Sequence, residues 1–284
     1  MGLVVRLPLR AGGFREALLV EGPAGWGECS PLPGYPCSPE RARAAADEAA
    51  LRRWPPPVRH SVPVNALIPV CEPDEAAAAA VAAVADGYQC LKVKVRRGVD
   101  LVAAVRAAVG PAVALRVDVN GRWDIDEAVA TIARLRPFDV EYVEQPVTSL
   151  DDLAAVRRRV DVRIAADECV RDVDGARRLA TLAAADVIVL KVQPLGGVRA
   201  SLEVAEAAGV PAVVTSMLET SVGLAAGLAL AAALPDLAFA CGLGTATLLA
   251  EDVVADPLVP VDGRLAVRRP VPDPALLARY RVAA

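Results

Sequence analysis

Residues 91–120, LKVKVRRGVDLVAAVRAAVGPAVALRVDVN, contain a complete strand–helix–strand unit. The flanking runs at 91–95 and 113–120 are short, apolar and β-branched, as in buried strands. The residues between them, 98–110, carry the apolar spacing of a helix. This order predicts two parallel strands joined by a right-handed crossover.

The same alternation continues from residue 62 to residue 244. Further strands are predicted at 62–69, 140–146, 162–168, 186–194, 210–216 and 237–244, and further helices at 73–87, 124–138, 149–160, 172–185, 197–209 and 221–234. Eight strands alternating with seven helices are expected to close into a barrel. The predicted fold is therefore α/β, with a (β/α)7β TIM-like barrel over residues 61–256.

The first 60 residues follow a different pattern. Their predicted elements are strands at 3–9 and 16–22, a hairpin turn at 22–28, a Pro- and Gly-rich loop at 29–37 and a helix from Ser38 to about Trp54. Three prolines at 55–57 end that helix. We predict a small α+β capping domain over 1–60, which the tail at 257–284 rejoins through an Asp-Gly hairpin turn.

Composition excludes several classes of protein. No run of about 18 apolar residues marks a membrane span, and the N-terminus lacks the pattern of a secretory signal. The net charge of −4 argues against a nucleic-acid-binding protein. Six cysteines without C-x-x-C spacing are expected to be free thiols. We therefore expect a cytoplasmic protein that binds neither nucleic acid nor membranes.

Charged residues recur at the ends of the predicted barrel strands. They are Lys94, Asp118, Glu144, Asp167 and Lys191, at spacings of 24, 26, 23 and 24 residues. With Lys92, this set includes all three lysines among 31 basic residues. A single such residue is often only a solvated rim group. Five in register indicate a site, because barrel enzymes place their chemistry at the C-terminal ends of strands.

The types of these residues indicate proton abstraction beside a metal ion. Three converging carboxylates, Asp118, Glu144 and Asp167, suit a hard cation such as Mg²⁺. Zinc is not expected, because the set contains neither histidine nor cysteine. A lysine can act as a base once its pKa is lowered, and we expect Lys92 and the cation to lower that of Lys94.

Five short motifs fall at these strand ends: K-V-K at 92–94, D-V-N at 118–120, E-Q-P at 144–146, D-E at 167–168 and the lone Lys191. Together they resemble the muconate-lactonizing branch of the enolase superfamily. WGECSPLPGY at 26–35, TSMLETSVG at 215–223 and GLGTATLLAEDV at 242–253 resemble the o-succinylbenzoate synthase family of that branch, actinobacterial type.

The resemblance implies a reaction and a role for each motif residue. Asp118, Glu144 and Asp167 would bind Mg²⁺, for which Mn²⁺ could substitute. Lys94 would be the base, assisted by Lys92, and Lys191 a protonated partner on the opposite face. The implied reaction is syn-type dehydration of a small dicarboxylate, 2-succinyl-6-hydroxy-2,4-cyclohexadiene-1-carboxylate, to o-succinylbenzoate in menaquinone biosynthesis.

Two further groups of residues are expected around the substrate. Arg116 and Asn120 would orient it, with Glu168 behind the metal ligands. The succinyl tail needs an anion site, which backbone N–H groups after the seventh and eighth strands could form. The candidates there are Ser216, Met217, Gly242, Leu243 and Gly244.

Three alternatives remain open at this point. An N-succinylamino acid racemase or dipeptide epimerase would use the same lysines and metal, with both Lys94 and Lys191 acting as bases. A metal-free Schiff-base aldolase would use a lysine but has no need of the three carboxylates. A non-catalytic binding barrel would not need three inward carboxylates, which repel one another in the absence of a metal ion.

Overall fold

The computed structural model describes residues 2–282. Its N-terminal part is an antiparallel sheet of three strands, β1 (Gly2–Pro8), β2 (Phe14–Gly22) and β3 (Gly25–Cys29), in that order. Helix α1 (Pro39–Leu51) covers the sheet. A Cβ atom at Gly27 would collide with the carbonyl oxygen of Ala46, so only glycine permits this close approach.

Two details of this part differ from the sequence-based expectation. Residues 25–28 of the predicted turn and Cys29 of the predicted loop form a third strand, because the chain reverses within the few residues that separate Gly22 from Gly25. Helix α1 ends at Leu51 and not near Trp54. Its predicted beginning is confirmed, since Oγ of Ser38 accepts a hydrogen bond from the backbone N–H of Arg41 at 3.2 Å.

The barrel confirms the predicted α/β class. Strand β4 (Ser61–Pro63) precedes the barrel and pairs with the C-terminal tail. The barrel strands are β5 (Ala66–Ile68), β6 (Cys90–Lys94), β7 (Ala114–Asp118), β8 (Val140–Glu144), β9 (Ile164–Ala166), β10 (Val187–Leu190) and β11 (Ala212–Val214). Strands β5 to β11 form one seven-stranded parallel sheet in sequence order. The helices are α2 (Pro73–Ala85), α3 (Asp100–Val109), α4 (Ile125–Leu135), α5 (Leu150–Arg157), α6 (Val173–Leu182), α7 (Val192–Leu195), α8 (Val198–Ala208) and α9 (Ser221–Ala233).

The eighth barrel position is filled by two residues and not by a regular strand over 237–244. Cys241 bridges Val64, and Gly242 bridges Thr215, both in parallel. These bridges join the two edges of the seven-stranded sheet and close the ring. A Cβ atom at Gly242 would lie 2.9 Å from Cγ2 of Thr215, so the closure uses a residue without a side chain.

The sixth strand of the barrel is also shorter than predicted. Strand β10 ends at Leu190, and Lys191 is the N-cap residue of the single-turn helix α7. In the tail, β12 (Arg264–Ala266) pairs with β4 after a turn at Asp262 and Gly263, and α10 (Pro274–Tyr280) packs against β1. None of the helices within residues 2–282 is long and apolar enough to cross a membrane.

Candidate active site

The parallel register brings the charged strand ends to one level. Lys94 pairs with Asp118 across β6 and β7, and Asp118 pairs with Glu144 across β7 and β8. Asp167 follows β9 directly, and Lys191 follows β10. Because neighbouring strands run in the same direction, all five side chains gather at the C-terminal mouth of the ring.

Lysine ammonium groups lie among the carboxylates on one side of the mouth. Nζ of Lys92 is 2.6 Å from Oε1 of Glu144 and 2.8 Å from Oδ2 of Asp118. Nζ of Lys94 is 2.6 Å from the same oxygen of Asp118 and 2.6 Å from Oδ1 of Asn120. Lys92 is nearly buried, whereas the side chain of Lys94 is 28% exposed and reaches the open space above.

A second cluster lies across the mouth. Lys191 forms an ion pair with Oδ2 of Asp167, and the hydroxyl of Tyr35 donates to the other oxygen of Asp167 at 2.7 Å. Nζ of Lys191 also lies 4.6 Å from the centre of the Tyr35 ring, which is a cation–π contact. Tyr35 belongs to the loop after β3, so the N-terminal part completes this side of the site.

The buried charges shift one another's pKa. Burial alone would lower the pKa of Lys92, but Asp118 and Glu144 outweigh it and raise that pKa above its ordinary value. Burial would also lower the pKa of Lys191, but the charges of Asp167 and Glu144 outweigh burial and raise that pKa above its ordinary value. Burial would raise the pKa of Asp118, yet the two adjacent lysines hold it below its usual range. The pKa of Glu144 rises to about 8 because it is buried and faces Asp118.

The donor set fits a hard cation. Within residues 2–282 no three His, Cys, Asp or Glu side chains are already arranged around a metal position, since Lys92 lies between Asp118 and Glu144. The three carboxylates nevertheless offer only oxygen ligands, as Mg²⁺ prefers. Oε2 of Glu144 is buried and has no hydrogen-bond partner in that part of the chain. A cation would satisfy it.

A cavity of about 280 Å³ opens above these clusters. The predicted site residues that line it are Lys92, Lys94, Asp118, Asn120, Asp167, Lys191, Ser216, Met217, Gly242 and Gly244. Ser216 and Gly242 are also joined by a hydrogen bond from Oγ to the carbonyl oxygen at 2.7 Å. The loops after β11 and around the closing segment therefore form one continuous wall.

Four predicted residues do not line the cavity. Glu144 lies beneath Lys92, and Glu168 accepts a hydrogen bond from Nδ2 of Asn120 at 2.8 Å. Leu243 is fully buried in the barrel core.

Arg116, the fourth, lies one layer below Asp118 and is 1% exposed. Its Nε donates to Oε2 of Glu141 at 2.7 Å, and its guanidinium carbon lies 4.9 Å from the centre of the Tyr142 ring. Arg116 therefore fills the barrel interior beneath the site instead of reaching the cavity.

Several lining residues were not predicted. They are Leu32, Tyr35, Asn65, Ala66, Leu67, Tyr88, Thr215, Thr245, Thr247 and Leu248. Most lie outside the charged strand ends, so the regular spacing that identified the other site residues does not identify them. Tyr35 had only an indirect signal, because it lies in the irregular Pro- and Gly-rich loop at 29–37.

Comparison with known proteins supports the same family at the level of sequence. The Enolase C-terminal domain-like model matches residues 75–273, and the Enolase N-terminal domain-like model matches residues 3–50. An o-succinylbenzoate synthase from Thermobifida fusca is 54% identical over 273 residues, which cover 93% of this chain and 85% of that protein. One from Mycolicibacterium smegmatis is 45% identical over 285 residues, which cover 98% of this chain and 88% of that protein.

The fold is shared with muconate cycloisomerase from Pseudomonas fluorescens. The TM-score is 0.90 at 23% identity, over 100% of this chain and 98% of that one. The resemblance to the enolase superfamily and to its o-succinylbenzoate synthase family is confirmed by the sequence matches. The chain belongs to the enolase superfamily and, within it, to the o-succinylbenzoate synthase family.

Proposed function

We propose that the protein is a hydro-lyase that dehydrates 2-succinyl-6-hydroxy-2,4-cyclohexadiene-1-carboxylate to o-succinylbenzoate. One observation carries the proposal: two lysines face a single cavity from opposite sides, with carboxylates beside each. Lys94 ends the second strand of the closed ring and Lys191 follows the sixth. In a ring of eight positions these are diametrically opposed. The names of the T. fusca and M. smegmatis relatives support the same reaction.

Lys94 is the proposed base. It is the most exposed of the three lysines at the level of the side chain, and it lines the cavity. Its neutral amine would take the proton from the carbon that bears the ring carboxylate. The resulting ammonium would return that proton to the departing hydroxyl on the same face, so that water leaves. The ring becomes aromatic, which makes the elimination strongly downhill.

Lys191 is the proposed cationic partner. The adjacent Asp167 holds it protonated, as its raised pKa indicates. Its ammonium group would stabilise the negative charge that develops on the substrate carboxylate during proton removal. Tyr35 would keep that ammonium in place by covering it and by occupying the second oxygen of Asp167.

Asp118, Glu144 and Asp167 are the proposed metal ligands. Mg²⁺, with Mn²⁺ as a substitute, would supply positive charge against the same developing enolate. Lys92 would neutralise the site when no cation is held and would contact the ring carboxylate. The succinyl carboxylate would meet the wall formed by Ser216, Met217 and the glycines around the closing segment.

A second candidate is racemisation of N-succinylamino acids, which the two opposed lysines would also permit. Racemisation needs each lysine to act as a base in turn, whereas dehydration needs only Lys94. The two reactions therefore differ in what they demand of Lys191.

The test is an ultraviolet assay of the purified protein with the cyclohexadiene substrate, with added Mg²⁺ or with EDTA. Loss of diene absorbance that requires Mg²⁺ is the expected result. Absence of turnover under both conditions, together with exchange of the α-proton of N-succinylamino acids for deuterium, would overturn the dehydration and favour racemisation.

A further inference from the structure

Arg15 extends from β2 into the contact between the N-terminal sheet and the barrel, where it is only 6% exposed. Its Nε donates to the carbonyl oxygen of Leu218 at 3.0 Å. Its two terminal nitrogens donate to the carbonyl oxygens of Pro31 at 3.3 Å, of Met217 at 3.2 Å and of Ser30. One guanidinium group therefore holds four backbone carbonyls.

These carbonyls belong to two loops that both form the cavity wall. Ser30 and Pro31 immediately precede Leu32, which lines the cavity, and Met217 lines it directly. We propose that Arg15 is a positioning residue that sets the substrate-binding wall by fixing the loop after β11 against the loop after β3. The inference rests on the proposed function, because that function assigns the succinyl carboxylate to the loop after β11.

The backbone of the barrel loop needs such a restraint. Leu218 has a φ of 65°, in the left-handed region that residues with a side chain rarely adopt. The hydrogen bond from Arg15 fixes the orientation of the Leu218 carbonyl. Without it, we expect the loop to relax toward a less strained conformation and to withdraw Met217 from the cavity wall.

Two buried acids, Glu28 and Glu219, lie close enough to the guanidinium to respond to its charge. Within residues 2–282 no carboxylate is hydrogen-bonded to Arg15, but its charge acts on Glu28 and Glu219 and counters the effect of burial on their pKa. Both acids are anchored to the same loop. Oε2 of Glu219 accepts from the N–H of Met217 at 2.5 Å, and Oε2 of Glu28 accepts from the hydroxyl of Thr220 at 2.5 Å. Arg15, Glu219 and Glu28 therefore all bind the same loop, at Leu218, Met217 and Thr220 respectively, without a direct ion pair between them.

This arrangement predicts an effect on substrate binding and not on proton transfer. Arg15 makes no hydrogen bond to Lys94 or Lys191. Its loss should therefore weaken the hold on the succinyl end while the base and its cationic partner stay in position. In kinetic terms, KM should rise and kcat should change little.

The experiment compares Arg15→Met with Arg6→Met. Arg6 is a matched control, since it lies on the neighbouring strand β1 and forms an exposed ion pair with Glu16 at 2.5 Å. We expect KM for the cyclohexadiene substrate to rise at least about tenfold in Arg15→Met, with kcat within about threefold of the parent. Arg6→Met should match the parent in both. An unchanged KM, or a fall in kcat alone, in Arg15→Met would overturn the proposal.

Chemical rescue separates positioning from a general loss of structure. Millimolar guanidinium chloride should lower the KM of Arg15→Ala toward the parent value, because it can refill the vacated site. Failure of rescue in a variant whose circular dichroism matches the parent would contradict the proposal.

Hydrogen exchange provides a measurement that needs no turnover. Exchange at the amides of Met217 and Thr220 should accelerate in Arg15→Met and not in Arg6→Met. If the parent shows no dehydration yet this acceleration occurs, the proposed function fails while the loop restraint stands. If dehydration occurs without the acceleration, the restraint fails alone.

Discussion

The ammonium nitrogen of Lys92, which lines the cavity, lies 2.6 Å from Oε1 of Glu144, and both side chains are buried. The same nitrogen is 2.8 Å from Asp118, so one lysine neutralises two of the three proposed metal ligands. A buried pair of this kind is costly to break, because the partner left behind stays charged and dehydrated.

Replacing Lys92 with methionine should make stability depend on the metal. In EDTA, Lys92→Met is expected to lose about 3–5 kcal/mol of unfolding free energy, because the buried Glu144 loses its ion pair and Asp118 keeps only Lys94 as a cationic partner. Mg²⁺ should restore most of this loss. Urea unfolding with EDTA and with Mg²⁺ measures both values, and an equal stability of variant and parent in EDTA would contradict the assignment of Lys92.

The two opposed lysines should respond differently to substitution. Lys94→Ala should lower kcat by about 10²–10⁴-fold, the usual contribution of a general base. Lys191→Arg keeps the positive charge and should retain most of the dehydration rate. Both kcat values come from the diene assay. If Lys191→Arg is as inactive as Lys94→Ala, Lys191 does more than supply charge.

Tyr35 should contribute through two separable contacts. Tyr35→Phe removes the hydrogen bond to Asp167 and keeps the ring over Lys191, so we expect a loss of about 1 kcal/mol in transition-state stabilisation. Tyr35→Leu also removes the cation–π contact and should lose more. The measurement is kcat/KM. Tyr88→Phe is the control, since Tyr88 lines the same cavity without a hydrogen bond to the lysines or carboxylates. Equal losses at both tyrosines would refute a specific role for Tyr35.

Glu28 should make the stability of the fold depend on pH. Burial raises its pKa from 4.5 to about 7, with smaller opposing effects from Ser30 and Thr220. The folded state therefore holds a proton that the unfolded chain has released, and stability falls as pH rises through this range. One pKa unit corresponds to about 1.4 kcal/mol, so the expected loss is about 3 kcal/mol.

Glu28→Gln tests this expectation by imitating the protonated acid. Between about pH 5 and about pH 8, the parent should lose stability relative to Glu28→Gln in chemical unfolding. Glu203→Gln, at an exposed position of α8, should differ from the parent in unfolding free energy by an amount that does not change with pH. Parallel pH curves for the parent and Glu28→Gln would show that Glu28 does not change protonation on unfolding.

The repeating unit explains why much of this site could be predicted from sequence. Parallel strands in sequence order convert a spacing of about one βα unit into adjacency, so Lys94, Asp118 and Glu144 are found side by side. The spacing does not determine how deep in the barrel a side chain lies. Arg116 shares a face with Asp118 because side chains alternate, yet it lies one layer lower in the barrel.

The unpredicted contacts join distant parts of the chain. Tyr35 meets Asp167 across 132 residues, and Thr220 meets Glu28 across 192. No local periodicity encodes such a pairing, which depends on how the N-terminal sheet sits on the barrel. The shortened eighth position has a different cause: the glycines around Cys241 permit a close crossing but do not sustain a regular strand.

The gathering of all three lysines in one cavity has a practical chemical consequence. Every ε-amino group of the chain lies at the barrel mouth, and Lys94 is the one best reached from outside. The outer surface offers an amine-selective reagent no lysine to modify. Acylating agents that modify surface lysines on most proteins will here label only this cavity and the chain terminus, and the amount of label on lysine will report whether the cavity is open.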